Sequence, residues 1–382
     1  MQSPPRSVYI HVPFCLHHCG YCDFTVVANR NELIPQWLDC LRREMGHELA
    51  EYSLPIEVDT IFLGGGTPTH LAEDQLTALF ELLAIYFRAA GNAEISIEAN
   101  PDGLTAEKLQ NLRGCGVNRI SLGVQSFQHQ ELEILERTHR AIDGANAVCL
   151  AAEYISRVGV DLIFAVPGQS LATWENSLQT AVSLPLHHIS TYGLTWEQGT
   201  AFFRREQRGQ LQKAPEDVEC RMYLNAIEFL TQNGFEHYEV SNFARIGCRC
   251  RHNLVYWHGE EYFAFGPGAA RYVNGRRSTN CRSVFRWMKA WTGGQPCTEP
   301  DDFTAPDDRA REAVMLGLRL REGLALDQFR LKFGVSLEEL AGPALERSLE
   351  KGLTELVGNQ LRLTTAGLLI ADSVVSDFLV DD

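Results

Sequence analysis

The sequence predicts an α/β protein, a parallel sheet of six strand–helix units followed by a smaller α+β unit at the C-terminal end. Strand-like apolar runs alternate with amphipathic helical patterns from residue 7 to about residue 195. Parallel neighbours need a crossover of helix length, so regular alternation points to a parallel sheet. Right-handed crossovers would curl six such units into a full or partial barrel, and a doubly wound open sheet fits the same alternation. After residue 305 the order changes to helices followed by a hairpin, the pattern of a winged helix.

The strands are expected at 7–12, 59–63, 94–98, 119–124, 159–164 and 188–194, runs rich in β-branched and aromatic residues and bounded by Gly, Pro and Asn. Helices are expected between them. In 35–51, Leu38, Leu41, Met45 and Leu49 recur at helical steps behind Pro35, and in 73–88 Leu76, Leu79, Phe80, Leu83 and Phe87 do the same. Further helices fit 105–114, 128–136, 142–155 and 171–183. Beyond residue 200 the pattern predicts a helix over 216–232, a strand over 235–243 and a Gly- and aromatic-rich irregular stretch over 247–273. A polar run, EPDDFTAPDD, leads into helices at 309–320, 336–341 and 343–352 and a hairpin at Leu356–Leu363 around Gly358-Asn359. Three units follow: a barrel over 1–240, a connecting segment over 241–304 and a winged-helix-like domain over 305–382.

Composition narrows the function. With 45% hydrophobic residues in 382, the chain can bury a large core. The first 30 residues lack a secretory signal pattern, and no apolar stretch reaches the ~20 residues a membrane span needs. A cytoplasmic protein without a transmembrane segment is expected; peripheral membrane contact stays open. The formal charge of -15 argues against broad nucleic-acid binding, which needs basic surface. The winged unit itself carries 14 acidic and 9 basic residues, so a structural or partner-docking role fits it better than DNA binding.

Eleven cysteines in irregular spacing do not suggest a disulfide framework. Cys40, Cys115, Cys149, Cys220, Cys281 and Cys297 are scattered and read as small buried hydrophobes, and Cys248 and Cys250 form a loose pair. Cys15, Cys19 and Cys22 stand apart: C-x3-C-x2-C directly after the first strand. Thiolates suit zinc or iron–sulfur centres. A structural zinc wants four ligands, of which a fourth would have to be His11, His17 or His18. A four-iron cluster on three thiolates keeps one iron open for another ligand.

The cysteine motif, preceded by Tyr9-Ile-His-Val-Pro-Phe14 and followed by Asp23-Phe24, resembles the radical S-adenosylmethionine superfamily, and within it the oxygen-independent coproporphyrinogen III oxidase-like branch. The resemblance spans roughly 7–375. It implies a partial (β/α)6 TIM-like barrel with its site at the C-terminal ends of the strands. It implies a [4Fe–4S] cluster on Cys15, Cys19 and Cys22 with S-adenosyl-L-methionine at the open iron. Gly64-Gly65-Gly66-Thr67-Pro68 resembles the stretch that holds the amino group of the methionine part. The resemblance carries Tyr9, Gly65, Gly66, Thr67, Glu98, Gln125, Arg137 and Asp161 over as contacts, Arg137 facing the carboxylate, with Gly193 a further candidate. Taken singly, a strand-end Gln or Asp more often caps the next helix.

Two departures separate subtypes. Coproporphyrinogen dehydrogenases have a fourth cysteine two positions after the third, where this chain has Phe24, and a long N-terminal extension, where fourteen residues precede Cys15. Both favour the haem-chaperone subtype, whose mark H-N-x-x-Y-W stands here as His252-Asn253-Leu254-Val255-Tyr256-Trp257. Imidazole is a common axial ligand of haem iron, and aromatics can cover the macrocycle. The competing reading of His252 is a hydrogen-bonded histidine in an aromatic core cluster. Ala270 stands where the branch commonly has His, against any role needing a second imidazole there. The expected function is binding haem and passing it to an acceptor protein, with no coproporphyrinogen dehydrogenase activity; the alternatives are that dehydrogenase or another radical enzyme, and a structural metal scaffold.

Overall fold

The computed structural model describes residues 3–299 and 305–379; part of the polar run leading into the C-terminal unit lies outside them. Strands β1 (Ser7–Val12), β2 (Ile56–Gly65), β3 (Phe87–Ala99), β4 (Arg119–Gln125), β5 (Arg157–Phe164) and β6 (His188–Gly193) pair in that order, all parallel. The hairpin β7 (Glu236–Glu239) and β8 (Asn242–Ala244) joins β6 through an antiparallel β8, and β9 (Phe263–Phe265) joins β1 in parallel. The order β9-β1-β2-β3-β4-β5-β6-β8-β7 leaves β9 and β7 as the two edges of one nine-stranded sheet.

Each strand alternates. Val8, Ile10 and Val12 of β1, Ile120, Leu122 and Val124 of β4, and Val158, Val160 and Leu162 of β5 are buried in one cluster with Trp37, Leu41, Leu79, Leu109, Val148 and Leu178 of the crossover helices. The residues between them point the other way: Tyr9 and His11, Thr60 and Phe62, Glu94 and Glu98, Arg119 and Ser121, Asp161, His188 and Ser190. A sheet with helices on both faces reads as unbroken apolar runs. One apolar and one polar face therefore selects the curled partial barrel over the doubly wound sheet, and the interior is where polar chemistry gathers.

Local signals set the helix ends. Pro35 opens Ile34–Glu48, and Thr105, Ser170 and Ser336 cap Ala106–Gly114, Leu171–Ser183 and Leu337–Glu350, each accepting from a backbone N–H three residues on. In the C-terminal unit, Pro306–Gly317, Leu326–Phe333 and Leu337–Glu350 surround a three-stranded sheet of Leu324–Ala325, Gln360–Leu363 and Thr354–Val357. Ala341 breaks the helical geometry ahead of Pro343, so Leu337–Glu350 is two helical pieces meeting at a kink, matching the two patterns expected. The unit ties to the barrel's edge: Val240 N donates to Arg319 O at 3.0 Å, and Arg321 N to Tyr238 O at 3.0 Å.

Three expectations are corrected. The strand over 235–243 is two strands, folded back where Ser241 N donates to the Glu239 carboxylate at 3.3 Å. The stretch over 247–273 is ordered: it holds the helix Arg251–Trp257, strand β9 and a two-stranded ribbon of Ala270–Val273 with Arg276–Thr279. Finally, Cys281 and Cys297 are not isolated hydrophobes but a disulfide, joining the chain just before the helix Val284–Thr292 to the chain that returns after it.

Candidate functional site

β1 delivers the chain to Phe14–Cys15, which pairs in parallel with Val27–Ala28. Val27 N donates to Pro13 O at 2.7 Å and Asn29 N to Cys15 O at 3.1 Å, so both ends of the cysteine loop are fixed. Inside it Cys22 N donates to Cys19 O at 3.1 Å, and Gly20 N to the Glu136 carboxylate at 2.9 Å. A Cβ at Gly20 would meet Glu136 and Phe202 at 2.8 Å, so only glycine lets the loop lie this close to its neighbours. Burial pushes the Cys15 thiol up to about 11 and the Cys22 thiol to about 12, and the other thiols of the trio push the same way. Among the described residues, however, no three His, Cys, Asp or Glu side chains converge as they would on a single ion. A multi-iron cluster takes its thiolates on separate irons, and that is the donor set this loop offers.

The next strand end lies alongside. Gly66 N donates to Val12 O at 2.8 Å and Thr67 N to Phe14 O at 2.8 Å, and a Cβ at Gly66 would sit 2.7 Å from Phe14 O and 2.8 Å from Val12 O. Those are backbone atoms that cannot step aside. Gly65 has φ +105°, and a side chain there would strike the His11 ring. Thr67 Oγ1 donates to Cys15 Sγ at 3.6 Å and accepts from Asn100 Nδ2 at 3.1 Å. Arg137 Nη1 reaches Cys19 Sγ at 3.6 Å, while Nη2 donates to Asn100 Oδ1 at 2.7 Å and Gly123 O at 2.8 Å. Its Nε is buried without a partner. A cleft of about 180 Å³ beside Cys19 is lined by Thr67, Asn100, Lys108 and Arg137.

Set back inside the barrel, Glu98 accepts from Gly65 N at 2.9 Å, and burial together with Asp161 pushes its carboxyl up to about 8. Asp161 accepts from Ser121 at 3.2 Å and is raised by burial. Tyr9 bonds His11 Nδ1 at 3.1 Å and stacks on Phe62. Gln125 ends β4 at φ +68°, an unfavourable backbone for a residue with a Cβ. Gly193 ends β6 against Phe164 and Glu219. Thus Gly66, Thr67 and Arg137 meet the cysteine loop at the rim, with Glu98 and Asp161 beneath. Asn100, which joins Thr67 to Arg137, escaped the sequence reading although it stands two residues after Glu98 in the same strand end.

The His252 motif lies at the opposite end, where the strands begin. Glu94 and Arg119 form an ion pair at 2.9 Å, both side chains nearly solvent-free. Arg119 Nη2 donates to Cys248 O at 2.7 Å and Arg249 O at 2.9 Å, and the second Glu94 oxygen accepts from His252 N at 3.2 Å and Cys250 Sγ at 3.6 Å. The helix Arg251–Trp257 therefore closes the lower mouth of the barrel. His252 is 1% exposed and stacks on Phe62 at 5.2 Å. Its Nδ1 pairs with Thr60 Oγ1 at 2.7 Å and its Nε2 with the Tyr256 hydroxyl at 2.8 Å. Burial lowers it to about 3, so it is neutral, and both nitrogens are engaged. Cys250, pushed up to about 12 by burial, belongs to this plug and not to the cysteine loop.

Comparison with known proteins agrees with this architecture. Residues 9–181 match the Radical SAM superfamily and residues 305–370 the HemN C-terminal domain. A protein named Heme chaperone HemW from Bacillus subtilis is 37% identical over 377 residues, covering 98% of this chain and 99% of that protein. Another of that name from Lactococcus lactis is 34% identical over 384 residues, covering 100% and 99%. In fold, coproporphyrinogen III oxidase HemN from Escherichia coli, a radical SAM enzyme, aligns with a TM-score of 0.85 at 22% identity over 98% of this chain and 90% of that one. The chain belongs to the radical SAM superfamily and, within its coproporphyrinogen oxidase-like branch, to the HemW family.

Proposed function

We propose that this protein is a haem chaperone: it binds haem and passes it to an acceptor protein, and it carries a [4Fe–4S] cluster with an exchangeable S-adenosylmethionine. The observation that carries the reading is the near-full-length likeness to proteins named haem chaperone, in a chain whose cysteine loop meets Thr67 at Cys15 and Arg137 at Cys19. Cys15, Cys19 and Cys22 would hold the cluster. Gly66 lets the second strand's end lie directly against the backbone of β1 beside it, and Arg137 has a donor to spare, at Nε, for a carboxylate. Glu98 and Asp161 would face the hydroxyl-bearing end. A bound cluster supplies electrons to its ligand; the chain's own share is orientation and exclusion of water.

His252 remains the proposed haem ligand of the motif, with a condition attached. It must release Tyr256 or Thr60 before a ring nitrogen can reach iron. The enzyme reading is tested by turnover: anaerobic, cluster-loaded, dithionite-reduced protein with S-adenosylmethionine, coproporphyrinogen III and an electron acceptor, run beside a true dehydrogenase. We expect no protoporphyrinogen. A rate comparable to the control would replace the chaperone by an oxidative decarboxylase.

A further inference from the structure

Phe24, which marks this chain apart from the dehydrogenase pattern, is 58% exposed, two residues beyond Cys22. A single exposed apolar residue is ordinary at a protein surface, so the ring takes its meaning from what surrounds it. Its chain neighbour Asp23 is bound by Arg282, whose Nη2 donates to the Asp23 carbonyl at 2.9 Å and to its carboxylate at 3.3 Å. Arg282 stands just before Ser283, the N-cap of the helix Val284–Thr292, on which Phe285, Arg286 and Lys289 follow the three- and four-residue steps that place side chains on one face. The opposite face, Val284, Trp287, Met288 and Trp291, is buried, whereas Phe285 is 50% exposed with the Arg30 guanidinium over its ring at 5.2 Å.

The charge of this face is opposite to that of the molecule. Between Cys281 and Cys297 the sequence has Arg282, Arg286 and Lys289 and no acidic residue, in a chain of net charge -15. Two exposed phenylalanines, linked through the contact of Arg282 with Asp23 and bordered by the exposed Arg286 and Lys289, match a flat apolar macrocycle carrying carboxylates at its edge. We propose that Phe24 and Phe285, with Arg282, Arg286 and Lys289, form the first docking surface for haem, its ring against the phenylalanines and its two propionates toward the cations. This inference rests on the haem-chaperone reading and names its site. It also supplies what the plug does not, since His252 is buried at the other end of the barrel with both nitrogens engaged.

The test is an anaerobic titration of the cluster-loaded full chain with ferric haem, followed by absorbance, on three proteins: wild type, Phe24→Ser/Phe285→Ser and Arg282→Glu/Lys289→Glu. The altered side chains are largely exposed, and cluster content and circular dichroism confirm that the variants fold. We expect each double variant to raise the apparent Kd about tenfold or more, equivalent to roughly 1.4 kcal/mol. Haem dimethyl ester, which lacks the free carboxylates, should bind wild type more weakly and be indifferent to the charge reversal. Wild-type binding with unchanged affinity in both variants would overturn the docking surface and leave the chaperone reading standing. A wild type that binds no haem would overturn both. If the variants instead lose binding to vesicles of anionic phospholipid while haem affinity is unchanged, the face is a membrane contact and the proposal fails.

Discussion

At the scale of single residues, the site depends on atoms that have no room to change. Gly66 lies against two backbone carbonyls, so Gly66→Val must move β1 or the loop that follows it, and with them Cys15. The cluster should still assemble on three unaltered thiols, but S-adenosylmethionine should no longer perturb the electron paramagnetic resonance of the reduced cluster. Arg137→Ala should weaken that perturbation about tenfold or more by removing a charge-assisted donor. A wild-type spectrum indifferent to S-adenosylmethionine would contradict the open-iron arrangement. The glycines and cysteines were legible because their spacing is local. Asn100 was not, because its role exists only where Thr67 and Arg137 come within reach of one side chain.

At the scale of elements, the strands and most helices of the barrel followed from alternation and capping, and the segment after residue 240 did not. The helix Arg251–Trp257 is too short for a periodic signal, and β9 is three residues long. Both are fixed by what they touch, Glu94 and Arg119 below the barrel and β1 beside it. The disulfide was hidden for the same reason: Cys281 and Cys297 are separated by sixteen positions, and they meet only because the chain returns after the helix to pair Asn280 with Thr298 and to let Cys281 N donate to Cys297 O at 2.8 Å. Another tie gives a measurable pH effect. Glu44, on the helix Ile34–Glu48, accepts from Gly266 N at 2.8 Å and meets Asn280, and burial pushes its carboxyl up to about 7. The folded state then binds its proton more tightly than the unfolded chain does. Its contribution is full below the unfolded value of about 4.5 and is lost as pH rises through 7, by a few kcal/mol at most. Glu44→Gln has the shape of the protonated acid, so its thermal midpoint relative to wild type should rise between pH 5 and pH 8. A constant difference across that range would mean that Glu44 is already ionised in the folded protein.

At the scale of the whole molecule, the partial barrel separates two polar regions. Its upper mouth gathers Cys15, Cys19, Cys22, Gly66, Thr67 and Arg137; its lower mouth is sealed by Glu94, Arg119 and the His252 helix. The two-way choice left by the sequence, curled or doubly wound, was settled by the polar inner face, and that face was already written in the alternation of strands such as Ser7-Val8-Tyr9-Ile10-His11-Val12. The C-terminal unit, bonded to the β7 edge through Arg319 and Arg321, covers a strand that would otherwise be open to pairing. The central claim is that this chain takes up haem and gives it away. Its most direct test is a titration of the cluster-loaded protein with haem, followed by addition of a haem-free acceptor. The account predicts saturation at one haem per chain and transfer of the bound haem to the acceptor. Absence of saturable binding, or haem that stays on the chain with every acceptor offered, would contradict it.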